Sequence, residues 1–277
     1  MRTGEYHNLF DFSAIVDRQP LRWPDGGRVA LVIVPNVEFY ELDDGEGHVD
    51  VREASRCDYG NRVGVWRLME LLDRYEVRAT VALHEAACRN YPRVIEAMLE
   101  RRWELMGHGL AKPGLLSALN ADQERAAVFQ TVATIHQASG QKVRGWLGPG
   151  LVETPRTLEY LKAAGVEYVT DWVNDDQPYR FKNGLYSIPY TIDLNDTVQF
   201  RTPGLTPAEY AQMICDAFDV LYDEGAEHAR VLCIALHRPG VWRATGSEVL
   251  DWYKQYETGA QLPGGTASGP RATQASA

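Results

Sequence analysis

The stretch Arg28-Val-Ala-Leu-Val-Ile-Val34 is an almost unbroken run of apolar, mostly β-branched residues. A strand exposed on one face alternates apolar and polar residues, whereas a strand buried on both faces reads as a continuous apolar run. The stretch therefore predicts a fully buried strand of a parallel sheet. Two polar residues, Asn36 and Glu38, follow it within a few positions.

Further apolar runs alternate with helical patterns along the rest of the chain. Six more runs are typical of strands, at 78–83, 103–107, 142–147, 166–170, 185–190 and 230–236. Apolar residues recur at helical spacing between them, at 65–72, 91–102, 122–139 and 206–222. This alternation predicts an α/β fold, and we expect a distorted (β/α) barrel with about seven parallel strands that lacks the eighth repeat.

Two helix starts carry cap residues. Thr206-Pro207-Ala208-Glu209 has the spacing of a capping box, and the helix that it opens is expected to stop before Gly225. Thr154-Pro155 puts a cap residue in front of a proline, which predicts a helix whose first position is that proline.

A chain of 277 residues is within the range of a single α/β barrel domain. We predict an N-terminal arm at 1–27, a single (β/α) barrel domain at 28–257 and a disordered tail at 258–277. The tail is predicted because the chain from Gly259 onward contains too few apolar residues to be ordered by packing.

The charge and the cysteines restrict the function classes. The formal net charge is −10 and no segment is rich in Lys and Arg, which argues against a nucleic-acid partner. The four cysteines form no C-x-x-C pair, and the sequence has neither an apolar leader nor a run of 18 apolar residues. We therefore expect a cytoplasmic protein with reduced thiols, a small-molecule substrate and no membrane partner.

Polar side chains follow most of the predicted strands, where a barrel carries its reactive groups. The candidates, in chain order, are Glu38, His84, His108, Trp146, Asp171, Asn195 and His237. A hydrolase needs a base to activate water and an acid to protonate the leaving group. We predict that Glu38, His108 and His237 are catalytic and that the other four bind substrate.

Each substrate-binding prediction has a structural alternative. Trp146 could belong to the core, Asp171 could cap a helix, and His84 could cap a helix or bond a neighbouring carbonyl. Phosphate-loop, dinucleotide-binding, nucleophile-elbow and H-E-x-x-H motifs are all absent from the sequence.

Several blocks resemble a known family. They are the segments 20–24, 58–67, 107–109, 188–196 and 218–225. With these blocks the chain resembles the polysaccharide deacetylase superfamily, in the branch that contains the deacetylase-like allantoinase of purine catabolism. The resemblance implies a distorted (β/α) barrel that hydrolyses a non-peptide C–N bond, often as a homodimer or homotetramer. It also implies that His237 is the general acid.

The chain departs from most of this family at the metal ligands. Asn36-Val37-Glu38 stands where most members carry paired aspartates, and Lys112 stands four residues after His108 where a second histidine is usual. Because two ligands are too few for a catalytic zinc, we expect a protein that works without a metal. The alternative is Zn²⁺ or another divalent ion, with His84 as the third ligand. The segment after His237 is also shorter than in the family.

The leading functional hypothesis is hydrolysis of a linear or cyclic amide, imide or ureide bond in a small metabolite. Glu38 would orient or deprotonate water, His108 would stabilise or relay the proton, and His237 would protonate the leaving nitrogen. The alternatives are a metal-dependent N-deacetylase acting on a carbohydrate or amino sugar, and an inactive barrel that serves as a binding module.

Overall fold

The first apolar stretch forms strand β1 (Val29–Leu31), and a second strand segment, β2 (Asn36–Val37), follows it. They are seen in a computed structural model that describes residues 8–42, 50–111, 115–201, 204–234 and 241–258. The predicted tail from 259 onward lies outside the described residues, and so do His237 and Lys112. The domain boundaries remain predictions.

Strand β1 is the centre of a small parallel sheet. It lies between β9 (Arg230–Leu232) and β10 (Val241–Arg243), and both pairs are parallel. Ile33 then bridges to Ala79, and β2 pairs with the next strand of a second sheet. One continuous stretch of chain therefore belongs to both sheets.

The second sheet has seven strands in the order β2-β3-β4-β5-β6-β8-β7. Its remaining members are β3 (Thr80–Leu83), β4 (Glu104–Gly107), β5 (Gly145–Trp146), β6 (Tyr168–Val169), β7 (Tyr179–Arg180) and β8 (Tyr186–Ser187). All pairs are parallel except that of β7 with β8. The α/β fold and the seven predicted parallel strands are confirmed, and the strands form two sheets.

The sequence reading missed β2, β7 and β10. Strand β7 runs back along β8 because the chain turns between them at Gly184, whose φ of 89° is in the left-handed region that favours glycine. Gly184 N–H donates to the carbonyl of Phe181 at 2.9 Å and closes that turn.

Helices connect the strands on the outside. They are α1 (Val51–Tyr59), α2 (Val65–Arg74), α3 (Glu85–Asn90), α4 (Pro92–Glu100), α5 (Ala121–Ser139), α6 (Thr157–Ala163), α7 (Asp196–Arg201), α8 (Pro207–Glu224) and α9 (Gly246–Glu257). Helix α8 has both hydrogen bonds of the predicted capping box and ends at Glu224, before Gly225. Within the described ranges, no helix combines the length and the apolar character that a membrane crossing requires.

Helix α6 corrects the predicted start at Pro155. The helix begins at Thr157, two residues later, with Arg156 as its N-cap. The Thr154 hydroxyl still accepts a hydrogen bond from Arg156 N–H at 3.1 Å, and it donates to the buried carboxylate of Glu124 at 2.8 Å.

The core lies on both faces of β1, as the continuous apolar run predicts. Val29 and Leu31 pack into one hydrophobic cluster, while Ala30 and Val32 pack into another. Alternate side chains of a strand point to opposite faces, so both faces of this strand are buried. Trp23, in the predicted arm, joins the second cluster and donates from its indole Nε1 to the carbonyl of Arg230 at 2.6 Å.

The amino ends of the strands are closed by the start of α9. The carboxylate of Glu104, at the first position of β4, accepts hydrogen bonds from the hydroxyl groups of Thr80 and Tyr168 and from the backbone of Ser247. Gly246 N–H donates to the Thr80 hydroxyl at 2.9 Å. The carboxyl ends of the strands are therefore the end of the barrel at which a site can open.

Candidate active site

Three candidate residues follow directly after neighbouring strands. Glu38 follows β2, His84 follows β3 and His108 follows β4. The strands pair in parallel with Val37 opposite Leu83, and Leu83 opposite Gly107. The next residue of each strand therefore lies beside its neighbour. One potential ligand atom from each of the three side chains lies within 4.8 Å of the other two.

His108 is held from both sides of its ring. Its Nδ1 lies 2.6 Å from the carbonyl oxygen of Leu147, and its Nε2 lies 3.0 Å from Glu38 Oε1. A carbonyl oxygen only accepts hydrogen bonds, so Nδ1 carries a proton. A neutral His108 then turns the lone pair of Nε2 toward a carboxylate oxygen. A proton or another cation between these two acceptors stabilises the contact.

The carboxylate of Glu38 is fixed and ionised. Burial opposes its ionisation, but hydrogen bonds from His108 and Tyr40 and the charge on His108 outweigh burial and lower the pKa of Glu38 to about 2. The Tyr40 hydroxyl donates to Oε2, and the Asn61 side-chain amide donates to the Glu38 carbonyl at 2.9 Å. A group with so low a pKa accepts protons poorly at neutral pH, although it attracts cations well.

His84 is a buried, neutral imidazole. Its ring stacks on that of His108 with the ring centroids 5.2 Å apart. Burial and the charge on His108 lower the pKa of His84 to about 4. Its Nδ1 has no hydrogen-bond partner among the described residues. A neutral imidazole with an unpaired ring nitrogen has the chemistry that a metal ligand needs.

The three side chains fit a divalent metal. Two imidazoles and one carboxylate form the donor set of several catalytic zinc sites. A ligating histidine also needs an outer partner for its second nitrogen, and Leu147 supplies one to His108. The expectation of a metal-free protein depended on a count of two ligands. The structure adds His84 as a third group that could hold an ion.

A cavity of about 830 Å³ opens beside Glu38 and His108. This volume is in the range of pockets that enclose small molecules. One wall is a π-helical turn, Gly60–Gly64, that joins α1 to α2 and directs Asn61 toward Glu38. Such turns are frequent at functional sites because the extra residue changes where a side chain points.

The other predicted substrate contacts have different surroundings. Trp146 is fully buried in a hydrophobic cluster and does not line this cavity; the next residue, Leu147, does. Side chains alternate along β5, so only one of the two can face the cavity. Asp171 is also buried outside the cavity lining, where its Oδ1 accepts a hydrogen bond from Gly148 N–H at 2.6 Å.

Asn195 lines the cavity, but both polar atoms of its side-chain amide form hydrogen bonds within the protein. Its side-chain nitrogen donates to the Tyr190 hydroxyl at 2.7 Å, and its oxygen accepts from Val198 N–H in the first turn of α7. His237, the predicted general acid, lies outside the described residues. Its role remains a prediction.

Sequence reasoning missed two partners of Glu38, Tyr40 and Asn61. Tyr40 is two residues after Glu38, and in an extended segment such residues point to the same side. This two-residue spacing could have identified Tyr40 as a neighbour of the Glu38 side chain from the sequence. Asn61 is 23 residues away in sequence, and only the π-helical turn brings it to Glu38.

Gly107→Ala should destabilise the protein, because the residue before His108 has no room for a side chain. A Cβ atom at this position would lie 2.5 Å from the indole ring of Trp146, which is rigid and fully buried. We expect the free energy of unfolding to fall by about 1–3 kcal/mol, measured by urea denaturation. Gly60→Ala is the control, since a Cβ atom there meets nothing within 4 Å. Equal stability of the two variants would contradict the steric argument.

Comparisons with known proteins agree with this arrangement. Residues 54–169 match the family model for polysaccharide deacetylase, a segment that includes His84 and His108. The chain is 29% identical over 277 residues to a Schizosaccharomyces pombe (strain 972 / ATCC 24843) protein named "Putative polysaccharide deacetylase". That match covers 82% of this chain and 85% of the yeast protein.

Solved structures share the fold. A "probable Polysaccharide deacetylase" from Pseudomonas aeruginosa PAO1 is 26% identical, with a TM-score of 0.78 and coverage of 87% of this chain and 97% of the other. PuuE allantoinase is 24% identical, with a TM-score of 0.79 and coverage of 89% and 99%. The family match over residues 54–169, the yeast relative and the shared fold make this chain similar to proteins of the polysaccharide deacetylase superfamily.

Proposed function

We propose that this protein hydrolyses a non-peptide C–N bond of a small molecule in the cavity beside Glu38. One observation carries the proposal: an ionised carboxylate and two imidazoles meet at the carboxyl ends of three neighbouring strands. The cavity of about 830 Å³ offers space for a compact substrate. The match of residues 54–169 to the polysaccharide deacetylase family, whose members hydrolyse C–N bonds, supports the same reaction class.

Glu38, His84 and His108 would hold a divalent metal, with zinc as the ion that best fits the donor set. When bound, such an ion lowers the pKa of a water molecule and polarises a carbonyl oxygen. The Tyr40 hydroxyl fixes the orientation of the Glu38 carboxylate, and the Leu147 carbonyl fixes the His108 ring. Burial keeps His84 neutral, as a ligand must be. His237 remains our candidate for protonating the leaving nitrogen.

The preferred substrates are linear or cyclic amides, imides or ureides. Two observations point this way: the chain has the fold of a protein named allantoinase, and the cavity is of small-molecule size. The second candidate is an N-deacetylase acting on an amino sugar, which the name of the yeast relative and the three potential metal ligands favour.

A substrate panel distinguishes these activities. The purified protein is supplied with zinc and incubated with hydantoins, imides, ureides and N-acetyl sugars, and product formation is followed for each. We expect turnover of at least one amide, imide or ureide. Turnover of N-acetyl sugars alone would favour the second candidate. Binding without any turnover would contradict both and favour an inactive barrel.

A further inference from the structure

A second group of carboxyls lies beyond the potential metal ligands. Asp171, just after β6, is 8% exposed, and Glu153 is half-buried in the loop that follows β5. The two carboxyl groups lie within hydrogen-bonding reach of each other. Asp171 Oδ2 has no donor among the described residues as long as both groups are ionised. The Trp172 indole donates to Glu153 Oε1 at 3.3 Å.

A single shared proton would remove the repulsion between the two carboxylates and supply a donor to Asp171 Oδ2. Burial raises the pKa of both carboxyl groups, and the charge of Asp171 raises that of Glu153 further. Glu124 acts on Glu153 in the same direction, whereas Gly148 N–H and the charge on His108 favour the ionised form of Asp171. A proton on Glu153 would let its hydroxyl donate to the unpaired Oδ2 of Asp171.

A single peptide group links Asp171 to His108. Gly148 N–H donates to Asp171 Oδ1 at 2.6 Å, and the Leu147 carbonyl accepts from His108 Nδ1, also at 2.6 Å. These are the two polar ends of the same peptide bond. Hydrogen bonds in such a chain polarise one another, so a negative charge at Asp171 strengthens the bond to His108. The close approach requires glycine, since a Cβ atom at Gly148 would lie 2.8 Å from Asp171 Oδ2.

We propose that Glu153 and Asp171 hold one proton between them and that this pair positions His108 through the Leu147–Gly148 peptide group. Glu153 and Asp171 are positioning residues, because neither lines the cavity in the described structure. The inference deepens the proposed function and depends on it only for the role of His108. The pair itself can be observed without turnover.

The first test is an infrared difference spectrum at neutral pH. The wild-type protein should show the carbonyl stretch of a protonated carboxylic acid that Glu153→Gln lacks. Asp171→Asn should also lose this band, because its amide group donates to Glu153 and leaves that group ionised. A wild-type protein without the band, or a band that both variants keep, would overturn the shared proton.

The second test follows the His108 Nδ1–H resonance by NMR in metal-free, histidine-labelled protein. Glu153→Gln retains a donor toward Asp171 and should leave the resonance in place. Glu153→Leu removes that donor and so favours the neutral form of Asp171. The hydrogen bond of His108 should then weaken, and its resonance should move upfield. His136 is the internal control, because its Nδ1 also lies 2.9 Å from a carbonyl oxygen, that of Gln141, at an exposed position of α5.

Turnover supplies an independent comparison. On a substrate found active, kcat/KM should fall by about 10–100-fold in Glu153→Leu and stay within about twofold of wild type in Glu153→Gln. Equal losses in the two variants would overturn the donor role. If Glu153→Leu fails to fold, the infrared band and Glu153→Gln still decide the matter. If no substrate is hydrolysed, the proposed function fails while both spectroscopic tests of the pair remain valid.

Discussion

Replacing Glu38 with glutamine should slow hydrolysis by roughly 10²–10⁴-fold while the protein stays folded. The amide has nearly the size of the carboxylate, and the Asn61 contact is to the Glu38 backbone, so the local structure should persist. The amide lacks the charge that pairs with His108 and attracts a cation. The measurement is kcat on the best substrate of the panel, together with the thermal unfolding midpoint.

Glu159→Gln is the matched control for this variant. Glu159 is exposed on α6, and its substitution removes the same charge without altering the site. Wild-type turnover in Glu38→Gln would exclude any catalytic role for this carboxylate. Zinc analysis of the same variant separates the two roles of Glu38. Replacing a metal ligand should lower the zinc content of the protein, whereas replacing a general base should leave the zinc content unchanged.

Protein purified without chelator should contain close to one zinc ion per chain, and His84→Ala should lose both the metal and the activity. A catalytic zinc typically needs three protein ligands, so removing one of three leaves a site that holds the ion poorly. His84 presents a neutral ring with an unpaired buried nitrogen in the described structure, and alanine removes that donor. Elemental analysis and turnover are measured on the same preparations.

His136→Ala controls for the loss of a histidine as such. His136 is exposed on α5, where its Nδ1 lies 2.9 Å from the Gln141 carbonyl, so its replacement should leave the zinc content unchanged. An active protein without zinc would contradict the three-ligand site. In that case Glu38 would have to act as the general base, despite the low pKa of its carboxylate.

Local patterns were sufficient for most of the fold. The apolar run at 28–34 predicted a strand buried on both faces, and packing on both sides of β1 confirms it. The capping box at Thr206 and the glycine at 225 predicted both ends of α8. These features depend on residues that are close in sequence. The predicted start of α6 was two residues too early, and the Thr154 hydroxyl there also bonds to Glu124, 30 residues away.

The sequence by itself determined the α/β fold and the strand ends at which Glu38, His84 and His108 stand, because apolar periodicity and the residue after each strand are local properties. Only the tertiary structure decided which side chains meet. Parallel register put His84 between Glu38 and His108, and side-chain alternation turned Leu147 rather than Trp146 toward the cavity. Strand register and the direction in which a side chain points both depend on pairing between strands that are distant in sequence. A local sequence pattern therefore does not determine them.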